Sequence, residues 1–218
     1  MTTYWTDPGA AQGWAQNDAQ RGLLDLPRRI AAEIVANDRP GTRVIADIGS
    51  GPGDFLAVFL ERLPDTRGIW SDISPAMEEL GREQLDAFSP RVEYRIADMS
   101  YFAGLPHDLD VITTSRAVHH LSRAALRDFY ADTAQHLAPG GWLVNLDHFG
   151  PNETWNARLR AARRVLVPRT QEQPPHHHDY PLAGVDDHVR ALAAAGFRDY
   201  DTPWRGFVTA LFMARRDG

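Results

Sequence analysis

Short apolar runs rich in β-branched residues alternate along this chain with segments whose apolar positions recur every three to four residues. That alternation predicts a parallel sheet covered by helices. A first helix is expected around Leu26 to Asn37, where Ile30, Ile34 and Val35 share a face. Strand one runs from Arg43 to Ile48, followed by a glycine turn and a helix from Asp54 to Leu63. Strand two is Gly68 to Ser71, and the next helix opens on Ser74-Pro75, a capping residue before a proline at the first helical position. Strands three and four are expected at Val92 to Ala97 and Leu109 to Thr114. A helix from Arg123 to Leu137 stops at Pro139-Gly140-Gly141, and strand five follows at Trp142 to Leu146. The rhythm breaks between Gly150 and Pro181, which is long, rich in proline and histidine, and holds one arginine-rich helical piece. It resumes with a helix from Val185 to Ala195, a stop at Gly196, and strands Phe197 to Thr202 and Gly206 to Ala214.

A length of 218 residues suits one such α/β domain and would cramp two. Within it, residues 1–40 read as an N-terminal helical lid and 41–149 as a ligand-binding half. Residues 150–182 read as an insertion or cap, and 183–218 as a C-terminal helix and hairpin. No apolar run approaches bilayer length, and Met1-Thr2-Thr3-Tyr4-Trp5 lacks the basic and apolar regions of a signal peptide, so the expected location is the cytoplasm.

A formal net charge of −6 disfavours nucleic acid as the main partner. The chain has no cysteine and hence no disulfide framework or thiol chemistry. All of its basic residues are arginine, which excludes Schiff-base chemistry and a lysine-bearing phosphate loop.

The turn after strand one reads Gly49-Ser50-Gly51-Pro52-Gly53-Asp54, and its glycines let backbone approach a ligand closely. A dinucleotide-binding turn has the same logic, but the glycine it wants at position 54 is Asp54. A carboxylate there competes with a pyrophosphate for the positive end of the helix. Asp47 adds a second negative charge before the turn, and a ligand carrying an ammonium and a sulfonium fits this pair better than one carrying phosphates. A nicotinamide dehydrogenase is disfavoured for that reason. Asp72 and Asp98 then end strands two and three, where an acid can accept ribose hydroxyls and an adenine amine.

The series Ile45-Ala46-Asp47-Ile48-Gly49-Ser50-Gly51-Pro52-Gly53, Asp72-Ile73-Ser74-Pro75, Ala97-Asp98-Met99, Leu137-Ala138-Pro139-Gly140-Gly141 and Ala195-Gly196-Phe197 resembles the class I S-adenosylmethionine-dependent methyltransferases, their small-molecule branch most. The likeness covers about residues 40 to 214. It implies a Rossmann-like seven-stranded sheet in the order 3-2-1-4-5-7-6, with strand seven antiparallel and helices on both faces. It places Asp47, Gly49, Ser50 and Gly51 near the methionine part of S-adenosylmethionine and Asp72 at the ribose. Ile73 and Met99 surround adenine, Asp98 meets its amine, and Met77, Ser115 and Arg116 complete the expected cofactor set.

Methyl transfer from a sulfonium depends chiefly on placing donor and acceptor in line, and a base is needed only where the acceptor must lose a proton. Strand five ends Asn145-Leu146-Asp147-His148, polar where a central strand should be apolar. Asp147 and His148 therefore read as a candidate base pair, with His148 foremost and His119 from the turn after strand four as a further candidate. His120, Trp155, His178 and Tyr180, with Tyr4, Trp5 and Trp14 of the N-terminal segment, are expected to line the acceptor pocket. Adjacent histidines in an extended chain point to opposite sides, so His176-His177-His178 does not suggest a metal site, and a metal-independent reaction is expected.

The expected activity is O-, N- or C-methylation of a small molecule, with no nucleic-acid or membrane partner; a homodimer is one expectation for the assembly. The competing reading keeps fold and cofactor but not methyl transfer, as a cyclisation or rearrangement enzyme or a non-catalytic binding subunit.

Overall fold

The computed structural model describes residues 18–100, 102, 104–166 and 180–218, together with residues 7, 9 and 13. Helix α1 (Asp18–Asp38) precedes strand β1 (Val44–Ile48). Then come α2 (Asp54–Arg62), β2 (Arg67–Asp72), α3 (Pro75–Gln84), a 3-10 turn (Asp86–Arg91) and β3 (Val92–Ile96). Strand β4 (Leu109–Ser115) leads through a short 3-10 turn (Val118–His120) into α4 (Arg123–His136) and β5 (Leu137–His148). The chain ends with α5 (Glu153–Leu166), α6 (Val185–Ala194), β6 (Asp199–Gly206) and β7 (Thr209–Arg215). None of the described helices is long and apolar enough to cross a membrane.

The seven strands form one sheet in the order β3-β2-β1-β4-β5-β7-β6. Strands β1 to β5 pair in parallel, and β7 runs antiparallel to both β5 and β6. This is the Rossmann-like order implied by the resemblance. Because the strands are covered on both faces, two cores form. One packs Ile45, Trp70, Val111, Val144 and Leu211 against α1 and α2; the other packs Ile112, Leu143 and Phe212 against α4 and α6.

The helix starts follow local chemistry. Ser74 accepts the N–H of Met77 ahead of Pro75, and Ser122 accepts that of Ala125 at the start of α4. The main departure from the periodicity is β5, which begins at Leu137 and carries Pro139-Gly140-Gly141 inside it. Gly140 takes φ 72°, and its N–H donates to the Arg216 carbonyl while the Arg216 N–H returns to Gly141, so the C-terminal strand supplies bonds that a turn would otherwise lack. At the opposite end from the carboxyl edge, Asp110 ties α1 to the sheet by accepting from Arg39 Nη2 at 2.6 Å and from the Arg43 N–H at 2.7 Å.

Candidate active site

The carboxyl ends of β1, β2, β4 and β5 meet at one edge of the sheet, the place where the strand order reverses. Gly49, Gly51 and Gly53 of the first turn all have positive φ. At Gly49 a Cβ would stand 2.6 Å from Ala117 Cβ, so the loop after β4 presses against a position only glycine can fill. Below the loop, Trp70 Nε1 donates to the Gly51 carbonyl at 2.8 Å and Asp72 Oδ2 accepts the Gly51 N–H at 2.9 Å. The other oxygen of Asp72 accepts from Ser74 N at 3.0 Å.

Asp47 is fully buried. It accepts from Ser50 Oγ at 2.6 Å and Thr113 Oγ1 at 2.8 Å. Burial raises its pKa to about 6 against the pull of these hydroxyls and of Arg28, with Asp72 adding to the rise. Burial likewise raises Asp72, whose backbone donors oppose it.

Arg28 was not among the residues the motifs picked out. It comes from α1, is 5% exposed, and its Nη2 lies 3.5 Å from Asp54 at the start of α2. Its sequence signal is an arginine in the stripe Leu24, Arg28, Ala31, Ala32, Val35, every other member of which is a buried apolar residue. Asp54, read from sequence as a mark against pyrophosphate, is thus the half-buried partner of Arg28 at the loop.

The residues expected around adenine are arranged more openly. Asp98 is exposed, and its Oδ1 accepts from the N–H and hydroxyl of Ser100. Ile73 and Met99 are half-buried, Met99 against the α4-side core, whereas Met77 is 2% exposed and packs inside the α2-side core.

These residues suit S-adenosylmethionine on the structure's own terms. The Ser115 hydroxyl is buried and finds no partner among the described residues, the Gly49 cradle admits backbone contact, and the carboxylates of Asp47 and Asp72 flank the loop. Arg116, next to Ser115, holds a left-handed φ of 52°, and its N–H donates to the Leu146 carbonyl of β5.

The loop after β4 therefore touches the glycine turn through Ala117 and reaches β5 two residues later. There His119 Nδ1 lies 2.5 Å from Asp147 Oδ1, and the His119 N–H donates to Asp147 Oδ2 at 2.9 Å. The two side chains are 1% and 0% exposed. The polar run at the end of the strand suggests Asp147 and His148 as the pair. Asp147 accepts the backbone N–H of His148 at 2.7 Å, while the two side chains leave the strand on opposite faces. The His148 ring contacts the Thr209 hydroxyl through Nδ1 at 2.9 Å and stands 5.1 Å from the His119 ring. Burial raises the Asp147 carboxyl, opposed by these donors and by the nearby histidines.

Of the expected acceptor residues, His120 is buried with its ring 4.1 Å from that of His119. Trp155 and Tyr180 are exposed, at 53% and 43%. Tyr4, Trp5, Trp14 and His178 lie outside the described residues. Among the described residues no three His, Asp or Glu side chains gather as metal ligands.

Comparison with known proteins agrees with this geometry. Residues 45–141 match a methyltransferase domain family. The chain is 32% identical over 160 residues to trans-aconitate 2-methyltransferase from Azoarcus sp. (strain BH72), covering 68% of this chain and 58% of that protein. Its fold is similar to an O-methyltransferase family protein from Burkholderia thailandensis, with a TM-score of 0.74, 20% identity, and coverage of 97% of this chain and 61% of the other. Human N-acetylserotonin methyltransferase, solved in complex with S-adenosylmethionine, superposes with a TM-score of 0.71 at 16% identity, over 100% of this chain and 59% of its own. The chain thus spans less than two thirds of the length of each of these proteins. Matched segment and strand order agree: residues 45–141 match a methyltransferase domain, and the sheet has the order that the resemblance to the class I, Rossmann-like S-adenosylmethionine-dependent methyltransferases implies.

Proposed function

We propose that this protein transfers a methyl group from S-adenosylmethionine to a small-molecule oxygen, nitrogen or carbon without a metal, and that His119, backed by Asp147, takes the acceptor's proton where one must leave. The observation that carries the reading is the buried His119–Asp147 pair, tied by one short loop to the glycine turn. Its support from known proteins is the methyltransferase match and the similarity to the trans-aconitate enzyme.

S-adenosylmethionine, when bound, supplies a methyl group on a positively charged sulfur. Asp72 would hold its ribose and Asp98, with Ile73 and Met99, its adenine. Asp47, the glycine turn, Ser115, Arg116 and Arg28 would surround the methionine part, with Arg28 and Arg116 opposing its carboxylate. On the acceptor side, Asp147 fixes His119 through Nδ1, which turns Nε2 into the ring nitrogen that receives a proton. The positive ring so formed is stabilised by the carboxylate beside it. His120 and His148 stand against His119, and Trp155 and Tyr180 are assigned to the acceptor's approach.

Calorimetry with S-adenosylmethionine and S-adenosylhomocysteine tests the cofactor assignment; binding of neither removes it. Turnover is then tested with carboxylic acids, phenols, quinols and amines, comparing His119→Ala and Asp147→Asn with the unaltered chain. Losses of about 100-fold or more in kcat with cofactor affinity kept support the base. Binding with no transfer to any acceptor favours a different reaction on the same cofactor.

A further inference from the structure

The hairpin that joins β6 to β7 turns at the carboxyl edge of the sheet, beside the end of β5. Gly206 pairs with Thr209, so the turn itself is only Phe207-Val208. Thr209 stands opposite His148 in the β5–β7 register, and its hydroxyl lies 2.9 Å from His148 Nδ1. The Phe149 N–H donates to the Val208 carbonyl at 2.8 Å. Since the His148 ring is 5.1 Å from that of His119, these bonds hold the turn one histidine away from the His119–Asp147 pair.

Phe207 has a φ of 55°, whereas Val208 is not in the left-handed region. A two-residue hairpin turn with positive φ at its first residue alone calls for glycine there. A glycine stands one position earlier, but Gly206 serves another need: a Cβ on it would lie 2.7 Å from the Trp204 ring. Phenylalanine therefore occupies the one place in the turn where a side chain strains the backbone. Neither hydrophobic core takes up its ring. Phe207 is half-buried, and among the described residues its ring meets no other aromatic ring. A strained aromatic residue at the edge that carries the site, outside both cores, points to a ligand as its partner.

We propose that Phe207 is an acceptor-binding residue: its ring forms an apolar wall near His119 on which an aromatic acceptor stacks, so that a phenolic hydroxyl is the group methylated. The inference rests on the reading of His119 as the acceptor's base. A carboxylic acid is already ionised at neutral pH and has no use for a base, whereas a phenol keeps its proton up to about pH 10. An apolar wall beside a base therefore suits a ring that bears a hydroxyl. In the transfer, the phenol oxygen bonds to the methyl carbon as the carbon–sulfur bond breaks. The electron pair of that bond stays on sulfur, leaving S-adenosylhomocysteine, and the phenol proton passes to His119 Nε2.

The test uses the full chain saturated with S-adenosylhomocysteine and follows binding of phenol and naphthol by calorimetry. Phe207→Gly removes the ring and relieves the backbone, so it should melt no lower than the unaltered chain. The same variant should bind naphthol about 3- to 10-fold more weakly, and the loss should reappear in KM for naphthol methylation. Phe207→Tyr keeps the ring and should keep the affinity. Unchanged naphthol affinity in Phe207→Gly overturns the proposal, and so does a chain that holds S-adenosylhomocysteine but binds neither phenol nor naphthol. A Phe207→Gly that melts lower and loses affinity for S-adenosylhomocysteine and naphthol alike also overturns it, by assigning the ring to packing. Failure of the unaltered chain to bind S-adenosylhomocysteine removes the methyltransferase reading and this proposal with it. Undiminished naphthol methylation by His119→Ala removes the base alone and leaves the role of the ring to the affinities.

Discussion

Trp70 holds the carbonyl of Gly51 from beneath the glycine turn: its Nε1 donates to that oxygen at 2.8 Å from a fully buried position in β2. Two residues on, Asp72 takes the Gly51 N–H, so one strand fixes the Gly51 backbone through both its donor and its acceptor. The indole fits because Gly81 of α3 leaves it room; a Cβ there would meet Nε1 at 2.7 Å. Trp70→Phe keeps an aromatic ring but leaves a buried carbonyl unpaired, at a cost of about 1–3 kcal/mol. We expect a lower melting temperature and several-fold weaker S-adenosylhomocysteine binding by calorimetry. Gly81→Ala should act in the same direction by displacing the indole. Lower melting with unchanged affinity would mean that Trp70 serves packing alone.

Gly49 is constrained twice, by φ 66° and by Ala117 Cβ at 2.6 Å from where its own Cβ would be. In Gly49→Ala the left-handed backbone costs about 1–2 kcal/mol, and the clash moves the loop that carries His119. Cofactor binding and transfer should both fall, by about tenfold or more. Adding Ala117→Gly removes the clash and leaves the backbone strain, so partial recovery is expected. Full recovery would show that φ is unimportant, and none would show that Ala117 is.

The strand order and the glycine turn were legible because they rest on local signals: apolar runs, Ser-Pro at a helix start, glycines at positive φ. The pairing of His119 with Asp147 was not, since it joins two segments 28 residues apart and depends on where a 3-10 turn sets its second residue. The period of β5 puts Asn145 and Asp147 on one face. What it lacked was the occupant opposite that face, which α4 and α6 supply as Tyr130 and His188. Pro139-Gly140-Gly141 read as a stop, and became strand because Arg216 from the far end of the chain completes its hydrogen bonds. Arg28 could have been found, as the one charged residue in an otherwise apolar stripe of α1.

The cofactor site should carry its own pH dependence. Asp47 has a folded pKa of about 6, raised above the ordinary carboxylate value by burial. Between about pH 4 and 6 the unfolded chain releases this proton while the folded chain keeps it, so the contribution of Asp47 to stability is full below that window and declines as pH rises through it. A ligand carrying an ammonium prefers the ionised carboxylate, so affinity should rise with pH and level off above about 6. Asp47→Asn should melt at a higher temperature than the unaltered protein at pH 7 and bind S-adenosylhomocysteine weakly, with a flatter pH profile from 5 to 7. A profile as steep as the original would assign the titration to Asp72.

Arg28 brings a buried positive charge to a loop flanked by the carboxylates of Asp47 and Asp72, where its Nη2 lies 3.5 Å from Asp54. Arg28→Met keeps the length of the side chain and removes the charge. Asp54 then loses a partner, but it sits in the first turn of α2, where the helix end favours a negative charge, so the loss of stability should be modest. The larger effect is expected on ligands with a carboxylate: about 10- to 100-fold weaker binding of S-adenosylhomocysteine. Methylthioadenosine has the same adenine and ribose but no amino-acid part, and its affinity should be nearly unchanged. Asp72→Asn, by contrast, should weaken both ligands alike. Equal losses for the two ligands in Arg28→Met would place the effect in the loop's structure instead of in recognition of the carboxylate.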